Sequence, residues 1–148
     1  MAFRFRLERV RIVRERREKI AQQDLARAIA ERSSAEAQLR ATEENLERAH
    51  EHQRSVATGA SISPSELQAR QAFLERVEAE RGMHARELGV LEAEVAARDA
   101  QLTVAAGEHE MLKSLRERRR GEHQREVARI EGNTLDEIAA RAVRKGAA

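Results

Sequence analysis

A seven-residue repeat runs through most of the chain, mostly apolar but interrupted by Arg and His. In the second half one series passes through Leu67, Leu74, Arg81, Leu88, Val95, Leu102, His109, Arg116, His123 and Ile130. A partner series falls three residues later, through Arg70, Val77, His84, Leu91, Arg98, Ala105 and Leu112. In the first half Ala21, Ala28, Ala35, Thr42, Ala49 and Val56 interleave with Leu25, Arg32, Leu39, Leu46 and Gln53. Paired series of this kind are the seam of a coiled coil, and their 3.5-residue period predicts a left-handed supercoil. Nearer the start, Phe3, Leu7, Val10, Val13 and Ile20 form an apolar stripe of shifted phase.

The repeat breaks once, in ATGASISPSELQARQAFLERV, residues 57–77, which holds the single proline of the chain. Ser63, Pro64 and Glu66 read as an N-cap, a first-turn proline and the acid of a capping box. Just before them, Gly59 can end the first helix in a left-handed conformation. A short connection between two amphipathic helices makes them antiparallel neighbours. The expected fold is therefore all-α: one long antiparallel two-helix coiled-coil hairpin over residues 1–148, with the second helix longer. Helix one covers about 3–56, the turn 57–63 and helix two about 64–143, folding about residue 60. Gly132 and Asn133 mark a place where helix two can break, with Thr134 and Glu137 as a second capping box. Gly82, Gly89 and Gly107 also bear on its straightness, since each costs up to about 1 kcal/mol relative to Ala.

Composition narrows the function. Charged residues are 36% of the chain and aromatics 2%, with no Cys or Trp. Long helices that bury only a stripe have this makeup, whereas a pocket for a small molecule needs apolar and aromatic walls. A chain without cysteine has no disulfide framework and no thiol chemistry, which fits a reducing cytosol. No apolar run approaches a membrane span, and no signal-peptide core is present. The basic stretch MAFRFRLERVRIVRERR has the charge to touch anionic lipid.

The net charge of +2 conceals a segregation. Residues 1–32 carry +5, residues 33–112 carry −7 and residues 113–148 carry +4. In a hairpin this yields a basic pole at the chain ends and an acidic pole at the bend.

Sites for chemistry are missing from the sequence. It has no phosphate loop, no paired metal-ligand motif and no nucleophile elbow. His50 and His52 do not share a helix face, and His109 and His123 fall on the seam fourteen residues apart. No enzymatic activity, cofactor or metal is expected. The clusters RERREK and RERRR give an electrostatic footprint for nucleic acid, but no aromatics stand among them for base stacking. Phe73 flanks the seam beside Leu74 and Val77. It either covers the seam near Glu47 or anchors another protein, and Phe73, Val77, Glu80 and His84 form one helical stripe with Gln38 near its far end.

Four segments resemble the bacterial flagellar export protein family FliJ: FRFRLERVRIVRERREKIAQQDLARA at the start, ELQARQAFLERVEAE after the bend, LKSLRERRR further on and LDEIAARAVRK near the end. The resemblance covers nearly the whole chain. It implies a cytoplasmic component of the flagellar type III export apparatus, peripheral to the inner membrane at the flagellar base. It implies an antiparallel coiled coil similar to the gamma subunit of rotary ATP synthases, with no catalytic site. Its terminal end would enter the hexameric ring of the export ATPase, where Arg14, Arg16, Arg17, Arg118, Arg119 and Arg120 suit an acidic lumen. The gate-binding surface of the family, which engages the cytoplasmic part of the export gate, carries over to Gln38, Phe73, Val77 and His84. Escort chaperones of export substrates are further implied partners. Three rival readings are the equivalent stalk of an injectisome, which the flagellar-like N-terminus disfavours, a self-associating structural coil, and a basic nucleic-acid-binding coil.

Overall fold

The computed structural model describes residues 2–58 and 61–146. Two helices account for nearly all of them: α1, Glu8–Ala57, and α2, Pro64–Gly146. They pack against each other, antiparallel, with no strand among the described residues, and α2 is the longer. Their contacts group into two units. The hairpin unit is Ile20–Leu102, and the terminal unit joins Met1–Lys19 to Thr103–Ala148.

The hairpin unit contains the bend. Its second helix starts as its sequence dictates. The Ser63 hydroxyl accepts from the Glu66 amide at 3.2 Å, and the Glu66 carboxylate accepts from the Ser63 amide at 3.2 Å. Two amides that the helix leaves unpaired are thereby satisfied, and Pro64 takes the first helical position, where an amide hydrogen would be idle. Gly59, expected to end the first helix, lies outside the described residues.

Inside this unit the heptad seam is the core. Ala28, Ala35, Leu74 and Val77 are its buried apolar residues, and Leu25, Leu39, Leu46, Leu88, Leu91 and Val95 are half-buried along it. Small side chains on α1 leave room for the larger ones of α2, the interdigitation that a knobs-into-holes seam needs. Thr42 is also buried, and its hydroxyl donates to the Gln38 carbonyl at 3.0 Å, so that hydroxyl is satisfied. Glu43 pairs with Arg81 at 3.2 Å and Asp24 with Arg98 at 3.9 Å. These pairs set the fold point near residue 62, a little later than residue 60. Leu67 is on the heptad series but exposed, because α1 ends at Ala57 just where Leu67 would need a partner.

In the terminal unit the same heptad phase continues, but its residues are charged. Arg11, Arg14 and Glu18 take the inward positions of α1 and are half-buried. Arg14 forms an ion pair with Glu108. Glu18 meets Nδ1 of His109 at 2.6 Å, and Arg116 lies 3.2 Å from Glu8. The stripe of shifted phase turns away from this seam, and Leu7, Val10 and Val13 are exposed. Phe3 alone of its terminal-unit members is held, with its ring 5.8 Å from that of His123.

Helix one begins at Glu8, not near residue 3. Residues 3–7 offer no N-cap side chain, and two arginines there oppose the positive end of the helix dipole. Glu8 is the first acid able to stabilise a first turn, and its amide donates to the Phe5 carbonyl at 3.2 Å. At the other end, α2 runs unbroken through Gly132 and Asn133. Thr134 donates its hydroxyl to the Ile130 carbonyl one turn back, the bond of a threonine inside a helix and not of a cap. Helix continuity also holds through Gly82, Gly89 and Gly107. A Cβ at Gly89 or Gly107 would meet nothing within 4 Å, so packing does not demand glycine there.

Two predictions follow from this packing. Gly89→Ala and Gly107→Ala should each raise stability by about 1 kcal/mol, read as a higher thermal midpoint by circular dichroism; unchanged or lower midpoints would show that glycine is needed. Residues 8–19 should exchange amide hydrogens faster than 25–50, and high salt should widen the gap, because screening weakens ion pairs but not apolar burial. Acid should act the same way. The Arg11 guanidinium holds the Glu8 carboxylate below its ordinary range, and Lys19 and Arg11 do so for Glu15. A depressed carboxyl contributes stability above its unfolded pKa and loses it as pH falls through the folded value. The added exchange should therefore appear below about pH 4.

Candidate functional site

Among the described residues only a narrow seam is buried, so the candidate sites are surfaces. The terminal unit carries eighteen basic and eleven acidic residues, net +7, and the hairpin unit ten and fifteen, net −5. The sign of charge therefore changes between the two units.

On α1 of the terminal unit the acids are turned to one side. Glu8, Glu15 and Glu18 are half-buried and each has a basic partner: Arg11 and Arg116, Arg11 and Lys19, and His109. What remains outward is almost purely cationic and aliphatic. Arg9, Arg16 and Arg17 are exposed and have no ion pair among the described residues, and Leu7, Val10 and Val13 stand exposed in the same turns. Open grooves beside the N-terminal segment are lined by Phe3, Phe5, Arg4 and Arg6, with Arg9 and Arg116 on one side and Leu115 and Arg119 on the other.

The six arginines singled out from the sequence are not equivalent. Arg16 and Arg17 are exposed and free to meet a partner. Arg14 is half-buried and neutralised by Glu108, so it belongs to the seam. Arg118 and Arg119 share Glu122 at 3.3 and 3.0 Å, while Arg120 is exposed and without an ion pair among the described residues. Within the terminal unit, Arg16, Arg17 and Arg120 are the unpaired cations of that set. The heptad positions of His109 and Arg116 were legible in the sequence, but those of Arg14 and Glu18 were not, because Val10 and Val13 draw the apolar stripe into a shifted phase and the partners that mark the true seam lie on the other helix.

The mid-coil set of the hairpin unit also divides. Val77 is 6% exposed and lies in the seam. Its apolar side chain on the heptad line explains this placement. Phe73 is 43% exposed, with the Arg76 guanidinium 5.7 Å from its ring centre. Phe73 lines a shallow groove with Ala49, His52 and Gln53 of α1 and Ala69, Arg70 and Leu74 of α2. Phe73 is thus partly covered beside Ala49, His52 and Gln53 and partly open to solvent. His84 is half-buried between Glu80 and Glu87, each at 3.7 Å. Gln38 is exposed, and the pairing of Glu43 with Arg81 sets it opposite the turn that follows His84.

Among the described residues no three metal-ligating side chains gather, and no helix is long and apolar enough to cross a membrane.

Fold and surface thus define a two-helix coiled-coil protein whose chemistry is confined to charged and half-buried faces. Comparison with known families gives the rest: the family described as Flagellar FliJ protein matches residues 3–148, and the chain belongs to it. That family is structural and non-catalytic, and membership makes the protein a stalk-type component of flagellar protein export. No curated protein and no solved structure matches the chain.

The division between Leu74, Val77 and Phe73 has a measurable consequence. Leu74→Ala and Val77→Ala should each cost about 1–3 kcal/mol in chemical denaturation, as expected of buried aliphatics. Phe73→Ala should cost under about half of the Leu74 value, since nearly half of its surface is already wet. Equal losses at Leu74 and Phe73 would make Phe73 a core residue.

Proposed function

We propose that this protein serves flagellar export by docking the cationic face of its terminal unit into the hexameric ring of the export ATPase. There it promotes ring assembly and ATP hydrolysis without catalysing anything itself. The observation that carries this reading is the net charge of +7 on the terminal unit, with Arg16, Arg17 and Arg120 exposed and without an ion pair among the described residues. Such a face steers encounter with an acidic lumen and fixes its orientation, since complementary potentials raise association rates. Arg14, Arg118 and Arg119 contribute less, because each already shares its charge with a glutamate.

In the same reading the hairpin unit links the ring to the cytoplasmic part of the export gate through the exposed side of Phe73, with His84 and Gln38 flanking it. Aromatic side chains at half-covered positions are the usual anchors of such contacts. Escort chaperones would meet the remaining surface. The protein would work on the cytoplasmic side of the inner membrane, peripheral to it. Of the rivals, an injectisome stalk is set aside by the family, and a nucleic-acid-binding coil gains no support from a cationic face without base-stacking aromatics.

The test is ATP hydrolysis by the cognate export ATPase at fixed concentration, with and without the protein. Wild type should raise the rate and shift the ATPase toward hexamer. Arg16→Glu, Arg17→Glu and Arg120→Glu together should raise the half-effective concentration about tenfold, at about 0.5 kcal/mol per charge. Reversal of Arg14, Arg118 and Arg119 should do less. Full stimulation by the first triple variant would overturn the cationic-face reading, and no stimulation by wild type at saturation would remove the ATPase as partner.

A further inference from the structure

The two units of this chain are complementary to each other in charge, and both present that charge on exposed α1 surface. In the terminal unit, Arg9 and Arg16 are exposed, unpaired among the described residues and seven residues apart, with exposed Val13 between them. In the hairpin unit, Glu44 and Glu51 are also exposed, unpaired among the described residues and seven residues apart. Seven helical residues advance about 10.5 Å, so the two ladders have the same repeat. In the stretch around the acidic ladder, residues 43–51, Glu43 and Glu47 are paired with Arg81 and Arg54, and Arg48 stands between Glu44 and Glu51, so the ladder itself is the acidic surface open to a partner. Within the terminal unit each glutamate of α1 is half-buried and tied to a basic partner, Glu8 and Glu18 to Arg116 and His109 of α2 and Glu15 to Lys19 and Arg11 of its own helix, so an acidic helix laid on the outward face meets no unpaired carboxylate of α1.

We infer that the cationic face of the terminal unit binds the acidic α1 surface of the hairpin unit in a second copy of this chain, with Arg9 and Arg16 meeting Glu44 and Glu51. A second copy fits better than an unspecified acidic partner for two reasons. The complementary ladder is present on every molecule, and the net charge of +2 leaves little long-range repulsion between copies. Val10 and Val13 lose water in the contact and supply the apolar part of it. The contact joins unlike surfaces, so it is heterologous, and each molecule carries one half of two such contacts. It also occludes Arg16, one of the residues proposed above to enter the ATPase ring, so self-association and ring docking compete. The inference stands on this chain's surface alone and does not need the ring reading to be correct.

Sedimentation of the purified, nuclease-treated full chain tests it without any ATPase. At about 0.01–0.1 M ionic strength, where the Debye length is about 10–30 Å, the mass should rise with concentration. At about 1 M it should fall to that of one chain. Arg9→Glu with Arg16→Glu should be monomeric at low salt, and so should Glu44→Arg with Glu51→Arg. An equal mixture of these two variants should associate again, because each then presents to the other a pair of opposite ladders in exchanged positions with its remaining wild-type ladder. Circular dichroism confirms that the variants, all at exposed positions, keep their helix. A wild-type chain that is monomeric at low salt overturns the inference, and so does association insensitive to salt or to both variants. Monomeric protein that instead sediments with anionic vesicles or shifts a duplex assigns the face to lipid or nucleic acid and equally overturns it.

Discussion

In each unit two helices pack against each other along a seam, and among the described residues that seam is the interior. In the hairpin unit it buries Ala28, Ala35, Leu74 and Val77, with Thr42 tied to its own helix backbone. A single seam has no second layer, so it encloses no cavity and leaves most side chains in water. Function must therefore be read from surfaces. The narrowness also explains the alanines: small residues on α1 let the backbones approach and give the leucines and valines of α2 something to enter. Replacing them with larger side chains would push the helices apart and lose contacts along the whole seam.

The same line changes character without losing phase. Heptad positions that are Leu25 and Ala28 in the hairpin unit are Arg11 and Arg14 in the terminal unit. Burial of a leucine is worth about 1.5–3 kcal/mol, whereas an exposed ion pair contributes about 0–1. Arg14 with Glu108 and Arg116 with Glu8 are partly exposed pairs, so the terminal unit is held more weakly per turn. Regions with little apolar burial open at lower free energy, and they are where a partner can exchange its own contacts for internal ones. A seam of charges also has specificity that an apolar one lacks, since a register slip sets like charges against each other.

Most of this was legible in the sequence because a coiled coil writes its fold in a period. The series through Leu74 and Val77, the capping box of Ser63 and Glu66, and the antiparallel pairing all follow from spacing and local chemistry. The departures have local causes. Phe3 to Leu7 are apolar and basic without a cap, so α1 starts at Glu8. Gly132 and Asn133 look like a stop, yet one weak pair of residues does not end a helix whose neighbours on both sides favour it. The surfaces were less legible. Arg14 and Arg16 look alike in RERREK, and only the position of Glu108 on the other helix separates a seam residue from a free one. Val77 and Phe73 differ in role for the opposite reason: the heptad assigns Val77 inward, but how far Phe73 leans over the seam depends on Ala49 and His52 across it.

What distinguishes an arginine that can serve a partner is the state of its charge before the partner arrives. A guanidinium already shared with a carboxylate must give up that pair, and the exchange returns little; an unpaired one on the surface gains the whole interaction less its desolvation. Arg118 and Arg119 lean on Glu122, while Arg120 next to them has no such tie. On α1 the chain achieves the same separation by pairing: Glu8 and Glu18 reach Arg116 and His109 of α2, Glu15 is held by Lys19 and Arg11 of its own helix, and Arg9, Arg16 and Arg17 stay outside. Glu8 and Glu18 thus do two things at once: they clasp α1 to α2 where apolar residues are lacking, and they withdraw negative charge from the outer face. A helix pair with the same composition but its acids facing outward would have the same net charge, a weaker clasp and no cationic face to offer.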